Sequence, residues 1–400
     1  MKLYIQMIAS YGPSWGFGGP LRIFYDYAKL LETSFDVHIL AGDVHHDYRR
    51  LSKDSRLPDI HVNRYRVIFR RLSKLNINFV APSIFFGAYK RIKSSDDEVV
   101  LHICETRGSI YIYAAVLKFL FGDKVKLIHS GFGMLQVQSS FIRKIYDTIF
   151  LGWTFSMVDI FLAQNDHEML EYHKFFGEYL RKDLAKEKVS LVPLHVPQKN
   201  IASYSSKSLG VKNLARAKFN LPLDDICLVF LGRLNSNKGI IRTHNAAKAY
   251  SRASQRKVHM IFAGRDEGFG ATLRELKAST ASADYEITII ENIYGDLRFD
   301  LYKAADIFLG CPLVFEETML ASLEALAVGT PSIVSLEASI PYAASCCGAH
   351  EVADPVSEIP NLIDEILKNY NKSSEDSLSL IKNNFSDQKV RLALLDICNG

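Results

Sequence analysis

An α/β fold made of two Rossmann-like domains is predicted by three features of the sequence. Short β-branched runs alternate with helical stretches, which is the pattern of parallel sheets joined by crossover helices. The alternation occurs twice, and 400 residues exceed one ordinary core but suit two domains of about 150 to 200 residues. A polar stretch at 203–208 separates the two runs.

Taken in order, the first half predicts strands at 3–9, 36–40, 99–103, 125–129 and 160–163. Between the first two, Leu21, Phe24, Tyr27, Ala28 and Leu31 share one helical face, and Pro20 suits the first turn. The junction spans 197–222, leaving domains at 1–196 and 215–375. The second half predicts strands at 227–231, 258–263, 287–290, 307–309 and 332–334. Met319, Leu320, Leu323, Leu326 and Ala327 recur at three- and four-residue spacing, so a helix starts at about Thr318, and Gly329 and Pro331 end it. A further helix is expected at 389–397. In parallel sheets of this kind ligands bind beyond the carboxyl ends of the strands, so two facing halves place the site in a central cleft.

Composition excludes several classes. A 48% hydrophobic and 23% charged chain is that of a soluble globular protein, and a formal charge of +4 is too small to argue nucleic acid. The six cysteines show neither a C-x-x-C pair nor zinc spacing and read as free thiols of a reducing compartment. The apolar first eight residues run straight into a Gly/Pro loop with no small-residue cleavage site, so no signal peptide is expected. The apolar runs 110–121 and 148–162 are interrupted by Lys118 and Asp159 and fall short of the ~20 residues a membrane span needs. His45 and His46 lack helical spacing and carboxylate neighbours, so no metal site is expected.

The residues that carry chemistry cluster in the second half. Glu324 flanks the apolar stripe of its helix, where desolvation costs several kcal/mol unless a polar partner meets it. Glu316 precedes that helix by a loop. Arg233 and Lys238 follow the strand 227–231 and bracket a helix start, where backbone N–H groups and the dipole already favour an anion; two cations there suit a diphosphate. Near the N-terminus, the glycine-rich loop 12–20 allows close backbone approach; it begins G-x-G but lacks the third glycine of a dinucleotide fingerprint.

Glu316 and Glu324, with 323–325 and 329–331, resemble the E-x7-E signature of retaining glycosyltransferases of family 4, which have the GT-B fold. The segment 228–239 is similar to the family's "GRL...KG" strand, loop and helix; 261–264 resembles its next "aG" turn, and 301–309 the stretch ahead of the first glutamate. The resemblance implies an α/β GT-B protein in which two Rossmann-like domains face a central cleft, and a terminal helix, 376–400, that crosses back to the first domain. It implies a hexosyltransferase working with retention, on a nucleotide-diphosphate sugar and without a cofactor. In that reading Arg233 and Lys238 hold the diphosphate, Glu316 faces the donor sugar and Glu324 accepts from ribose hydroxyls. Gly18, Gly19, Gly232, Gly264, Ile293, Met319 and Leu320 line the donor. His129, ending its strand ahead of Gly133-Met134-Leu135, stands for the family's basic residue beside the sugar. The chain departs from the family's E-x-F-G with Glu316-Glu317-Thr318-Met319, which changes the sugar pocket and leaves Glu317 as the alternative carboxylate. No D-x-D occurs, against the metal-dependent GT-A class.

Twelve basic residues between Arg49 and Lys93 stand against Asp54 and Asp59, interleaved with aromatics such as Tyr65, Phe85 and Phe86. That mixture suits anionic lipid headgroups as well as a solvated face. The implied partners are a nucleotide sugar, a glycan or lipid-linked acceptor and an anionic membrane surface. No nucleic acid is implied, and the setting is cytoplasmic, peripheral at the inner membrane face, in polysaccharide biosynthesis. A sugar-nucleotide epimerase of the same fold and a binding-only subunit are the rival readings.

Overall fold

The computed structural model describes residues 1–8, 19–44, 50–51, 62–68, 80–104, 106–132, 145–180, 186–197, 209–280, 284–293, 295–316 and 319–400. The chain divides into two compact units, Met1–His195 with Gln388–Gly400, and Val196–Asp387.

The first unit is built on a parallel sheet of β1 (Leu3–Ile8), β2 (Asp36–Gly42), β3 (Val62–Tyr65), β4 (Val99–Ile103), β5 (Val125–Ser130), β6 (Ile160–Ala163) and β7 (Val189–Leu191), in the order β3-β2-β1-β4-β5-β6-β7. Central strands β1 and β4 are buried throughout, as expected where helices cover both faces of a sheet. Helices Gly19–Leu31, Pro82–Ser94, Ser109–Phe121 and Asp166–Leu180 supply the crossovers.

The second unit repeats the plan with β8 (Ile226–Leu231), β9 (Val258–Gly264), β10 (Tyr285–Glu291), β11 (Ile307–Gly310), β12 (Ser332–Ser335) and β13 (Ala349–Val352), ordered β10-β9-β8-β11-β12-β13. Every ladder in both sheets is parallel. In each the strand order reverses beside the first strand, which opens a crevice at the carboxyl ends of β1 and β4, and of β8 and β11.

The sequence missed β3, β7 and β13. All three are edge strands of three or four residues, too short to show a period. The stretch from 376 also divides differently from expectation. Helix Tyr370–Asn384 stays with the second unit, burying Leu380 and Ile381, and only Asp387–Asn399 joins the first. There Arg391 donates from Nε to the Leu30 carbonyl (3.2 Å) and from Nη2 to Ser34 (2.8 Å).

A buried polar chain crosses the first sheet. His102 lies between Tyr4 Oη, 2.6 Å from Nδ1, and Ser130 Oγ, 2.8 Å from Nε2. Burial, with the neighbouring His129, pushes its pKa down to about 3, so the folded state holds the neutral ring. Stability from this group is complete above pH 6.5 and is lost as pH falls towards 3. Between pH 6.5 and 5 the loss is expected at roughly 1.4 kcal/mol per pH unit. Urea unfolding of His102→Phe should show a shallower acid slope than wild type, and equal slopes would disprove the assignment.

Candidate active site at the carboxyl edge of the second sheet

Three loops meet where β8, β9 and β11 end. The backbone itself fixes their spacing. Gly264 has φ 142°, and a Cβ there would lie 1.8 Å from the Gly232 carbonyl oxygen. Gly239 has φ 62°, and its Cβ would lie 1.7 Å from the carbonyl oxygen of Cys311. Only glycine permits both approaches. Hydrogen bonds complete the junction: Gly232 N to Ala263 O (3.0 Å), Leu234 N to Arg265 O (2.8 Å) and Leu313 N to Asn237 O (2.8 Å). Asn292 N reaches Gly264 O at 3.0 Å, which brings the turn carrying buried Ile293 to the same edge.

On this frame the charged side chains are already paired. Lys238, on the turn Ser236–Lys238, places Nζ 2.5 Å from Glu316 Oε1, with the two side chains 18% and 17% exposed. Asn235 shapes that turn by accepting from Lys238 N (3.3 Å), while its Nδ2 donates to Glu267 (3.0 Å). Arg233, more than half exposed, meets Glu267 at 3.3 Å, and Arg265 donates to the same carboxylate. Burial pushes the Glu267 carboxyl up, but the hydrogen bonds from Arg265 and Asn235 and the charges of Arg233 and Arg265 hold it below the usual range. Glu316 is pinned by its own N–H to Glu337 O (2.7 Å). The helix Ile240–Ser254 starts directly after Lys238 and adds the positive end of its dipole.

Glu324 is buried on helix Leu320–Leu326. The polar partner it needs is Arg298, whose Nε lies 3.1 Å from Oε2, together with Tyr302, whose hydroxyl donates to the same oxygen at 3.2 Å. Arg298 also lies over the Phe299 ring, 4.8 Å from its centroid. Nothing in the local sequence pattern marks Arg298, because it is set against Glu324 by packing of two helices.

Other expected residues fall as follows. Met319 is buried with its sulfur against Gly310, and half-buried Leu320 opens the helix of Glu324. Gly19 starts helix Gly19–Leu31 in the first unit. Gly18, Glu317, 133–135 and the pair His45-His46 lie outside the described residues. His129 ends β5 as expected and is fully buried, stacked on Tyr111 at 5.1 Å, with Nδ1 3.1 Å from the Tyr172 hydroxyl and Phe155 and Phe161 around it. Four rings, two of them tyrosines, surround it, because a strand end in a parallel sheet is still covered by its crossover helices.

The basic stretch is also less free than its count. Arg50 pairs with Asp43, Arg64 donates to the Gly42 carbonyl (3.4 Å), and Arg91 donates to Tyr65 (3.1 Å) and Asn63 (3.2 Å). Among the described residues no helix is long and apolar enough to cross a membrane.

Two units of this sheet order form a fold of the GT-B class, the α/β class expected. Residues 211–384, a little under half of the chain, match the family model described as "Glycosyl transferases group 1". Among solved structures, Anabaena HepE in complex with UDP superposes with a TM-score of 0.72 at 12% identity, covering 100% of this chain and 99% of that one. Sucrose-phosphate synthase from Thermosynechococcus elongatus gives 0.70 at 17% identity, covering 99% and 98%. A glycosyltransferase from Rickettsia africae gives 0.69 at 16%, covering 99% and 97%. At these identities the likeness is one of fold. No curated protein matches the sequence.

Proposed function

We propose that the protein is a retaining glycosyltransferase that moves a sugar from a nucleoside-diphosphate sugar to an acceptor hydroxyl. The observation that carries this reading is the array of Arg233, Lys238 and Glu316 at the carboxyl ends of β8 and β11, inside the segment matching the group 1 model. Lys238 and Arg233 neutralise the departing diphosphate, and being held by carboxylates before substrate arrives they need little reorganisation. Glu316 orients Lys238 and faces the sugar. Glu324, held by Arg298 and Tyr302, accepts from the ribose hydroxyls. Ile293 and the glycines at 232 and 264 shape the nucleotide pocket. No side chain serves as nucleophile. A leaving phosphate oxygen takes the acceptor proton while the site holds both reactants in position. UDP is the first nucleotide to test, because Anabaena HepE was solved with it. The acceptor is a glycan or lipid-linked hydroxyl, placing the protein in surface-glycan synthesis at the inner membrane face.

The test is incubation with UDP, GDP, ADP and TDP sugars plus candidate acceptors, with diphosphate release measured and product anomers assigned by NMR. Release with retained configuration is expected, and Arg233→Ala should slow it about a hundredfold. Epimerised sugar nucleotide without release would replace the transferase reading with an epimerase. Absence of nucleotide binding would overturn both.

A further inference from the structure

In the first unit the helical segment at 145–156 presents an uncharged face to solvent. Its five-residue wide turn, Asp147–Leu151, runs directly into Gly152–Ser156. Ile145, Ile149, Phe150 and Trp153 are 43%, 61%, 36% and 38% exposed, while Leu151, Thr154 and Phe155 face inward. The one charge of the segment, Asp147, is turned inward and held by Arg107 through two hydrogen bonds, 2.8 and 3.0 Å long. Within this wide turn two large apolar residues, Ile149 and Phe150, stand side by side on the outside.

Helix Ser109–Phe121 packs beside this segment and also beside helix Pro82–Ser94. Its last turn exposes Phe119 (69%) and Leu120 (54%), and the neighbouring helix exposes Phe86 (60%). The Tyr89 and Phe121 rings, 5.3 Å apart, join the two. Single exposed apolar residues need no explanation, but seven large ones on three adjoining helices do. Across these three helical stretches the only carboxylate is the inward Asp147. The cations are not so hidden. Lys90 and Lys93 are exposed four and seven residues after Phe86, on the same stripe.

We infer that this face docks on an anionic lipid surface, with Ile149, Phe150 and Trp153 seated at the headgroup level and Lys90 and Lys93 against the charged headgroups. The choice of lipid follows from charge: a Trp-bearing apolar face whose three helical stretches carry no outward carboxylate but do carry exposed Lys90 and Lys93 complements a negative interface, with Asp96, Asp97 and Asp123 lying beyond the helix ends. The inference deepens the proposed function by naming the surface that meets the inner membrane face, and it rests on that reading where the acceptor is lipid-linked.

The chain has two tryptophans, so Trp15→Phe leaves Trp153 as the sole reporter. With phosphatidylglycerol vesicles at low salt, its emission should shift blue and be quenched by lipids brominated on the acyl chain. Phosphatidylcholine vesicles should give neither effect. Adding Ile149→Glu and Phe150→Glu should abolish both, with the thermal melt unchanged because these side chains face outward. Lys90→Glu with Lys93→Glu should weaken partitioning about thirtyfold or more, since each lysine near the surface contributes about a fivefold factor. Equal vesicle binding by wild type and both variants would overturn the inference, as would no binding at low salt. A blue shift that follows protein concentration without lipid, with dimers in sedimentation, would assign the face to a second copy instead. Calorimetry with UDP in the same variants reads the donor site separately, so failure of docking and failure of the transferase reading are distinguishable.

Discussion

Lys238→Ala is expected to lower the rate of sugar transfer about 100- to 1000-fold, the loss that follows removal of a charge aimed at a developing anion. The ion pair at 2.5 Å adds a second arm to this expectation. Without Lys238 the carboxylate of Glu316 has no cation to orient and stands beside the incoming diphosphate as a like charge. The double variant Lys238→Ala with Glu316→Ala should therefore be no slower than Lys238→Ala alone, a coupling expected of residues that act as one unit. Turnover from diphosphate release, with the melting temperature as a check of folding, measures both. Wild-type turnover in Lys238→Ala would remove this pair from the chemistry.

Glu324→Ala is expected to act on stability and on binding together. It leaves Arg298, only 11% exposed, without its carboxylate, a change that costs about 3–5 kcal/mol when one partner of a buried pair is removed. It should also weaken binding of the bare nucleoside diphosphate by about 1.5–3 kcal/mol, the range for hydrogen bonds to a charged group. A second variant separates the two effects. Arg298→Met with Glu324→Leu replaces the pair by apolar groups of similar size and should recover most of the stability in urea unfolding. It should not recover nucleotide affinity in calorimetry. Full affinity in that variant would leave Glu324 a structural residue only.

Much of this was legible in the sequence because it depends on neighbours along the chain. The central strands announce themselves by β-branched runs long enough to be buried on both faces, and β8 and β9 lie within a residue or two of expectation. The helix of Glu324 follows from apolar spacing, and the need of that carboxylate for a polar partner follows from desolvation alone. The edge strands β3, β7 and β13 were not legible, since three or four residues carry no period and a sheet edge demands little of its side chains.

Local pattern along the chain therefore carries the two-sheet α/β plan and the placing of Arg233, Lys238, Glu316 and Glu324 on loops and a helix after buried strands. Tertiary structure alone decided which charge meets which. Arg298 reaches Glu324 from 26 positions away and Lys238 reaches Glu316 across 78, because parallel crossovers bring distant loops to one sheet edge. It also decided the surroundings of His129, which a strand-end position leaves open and four aromatic rings supply. Local pattern sets which face of an element is buried; only packing sets what that face is buried against.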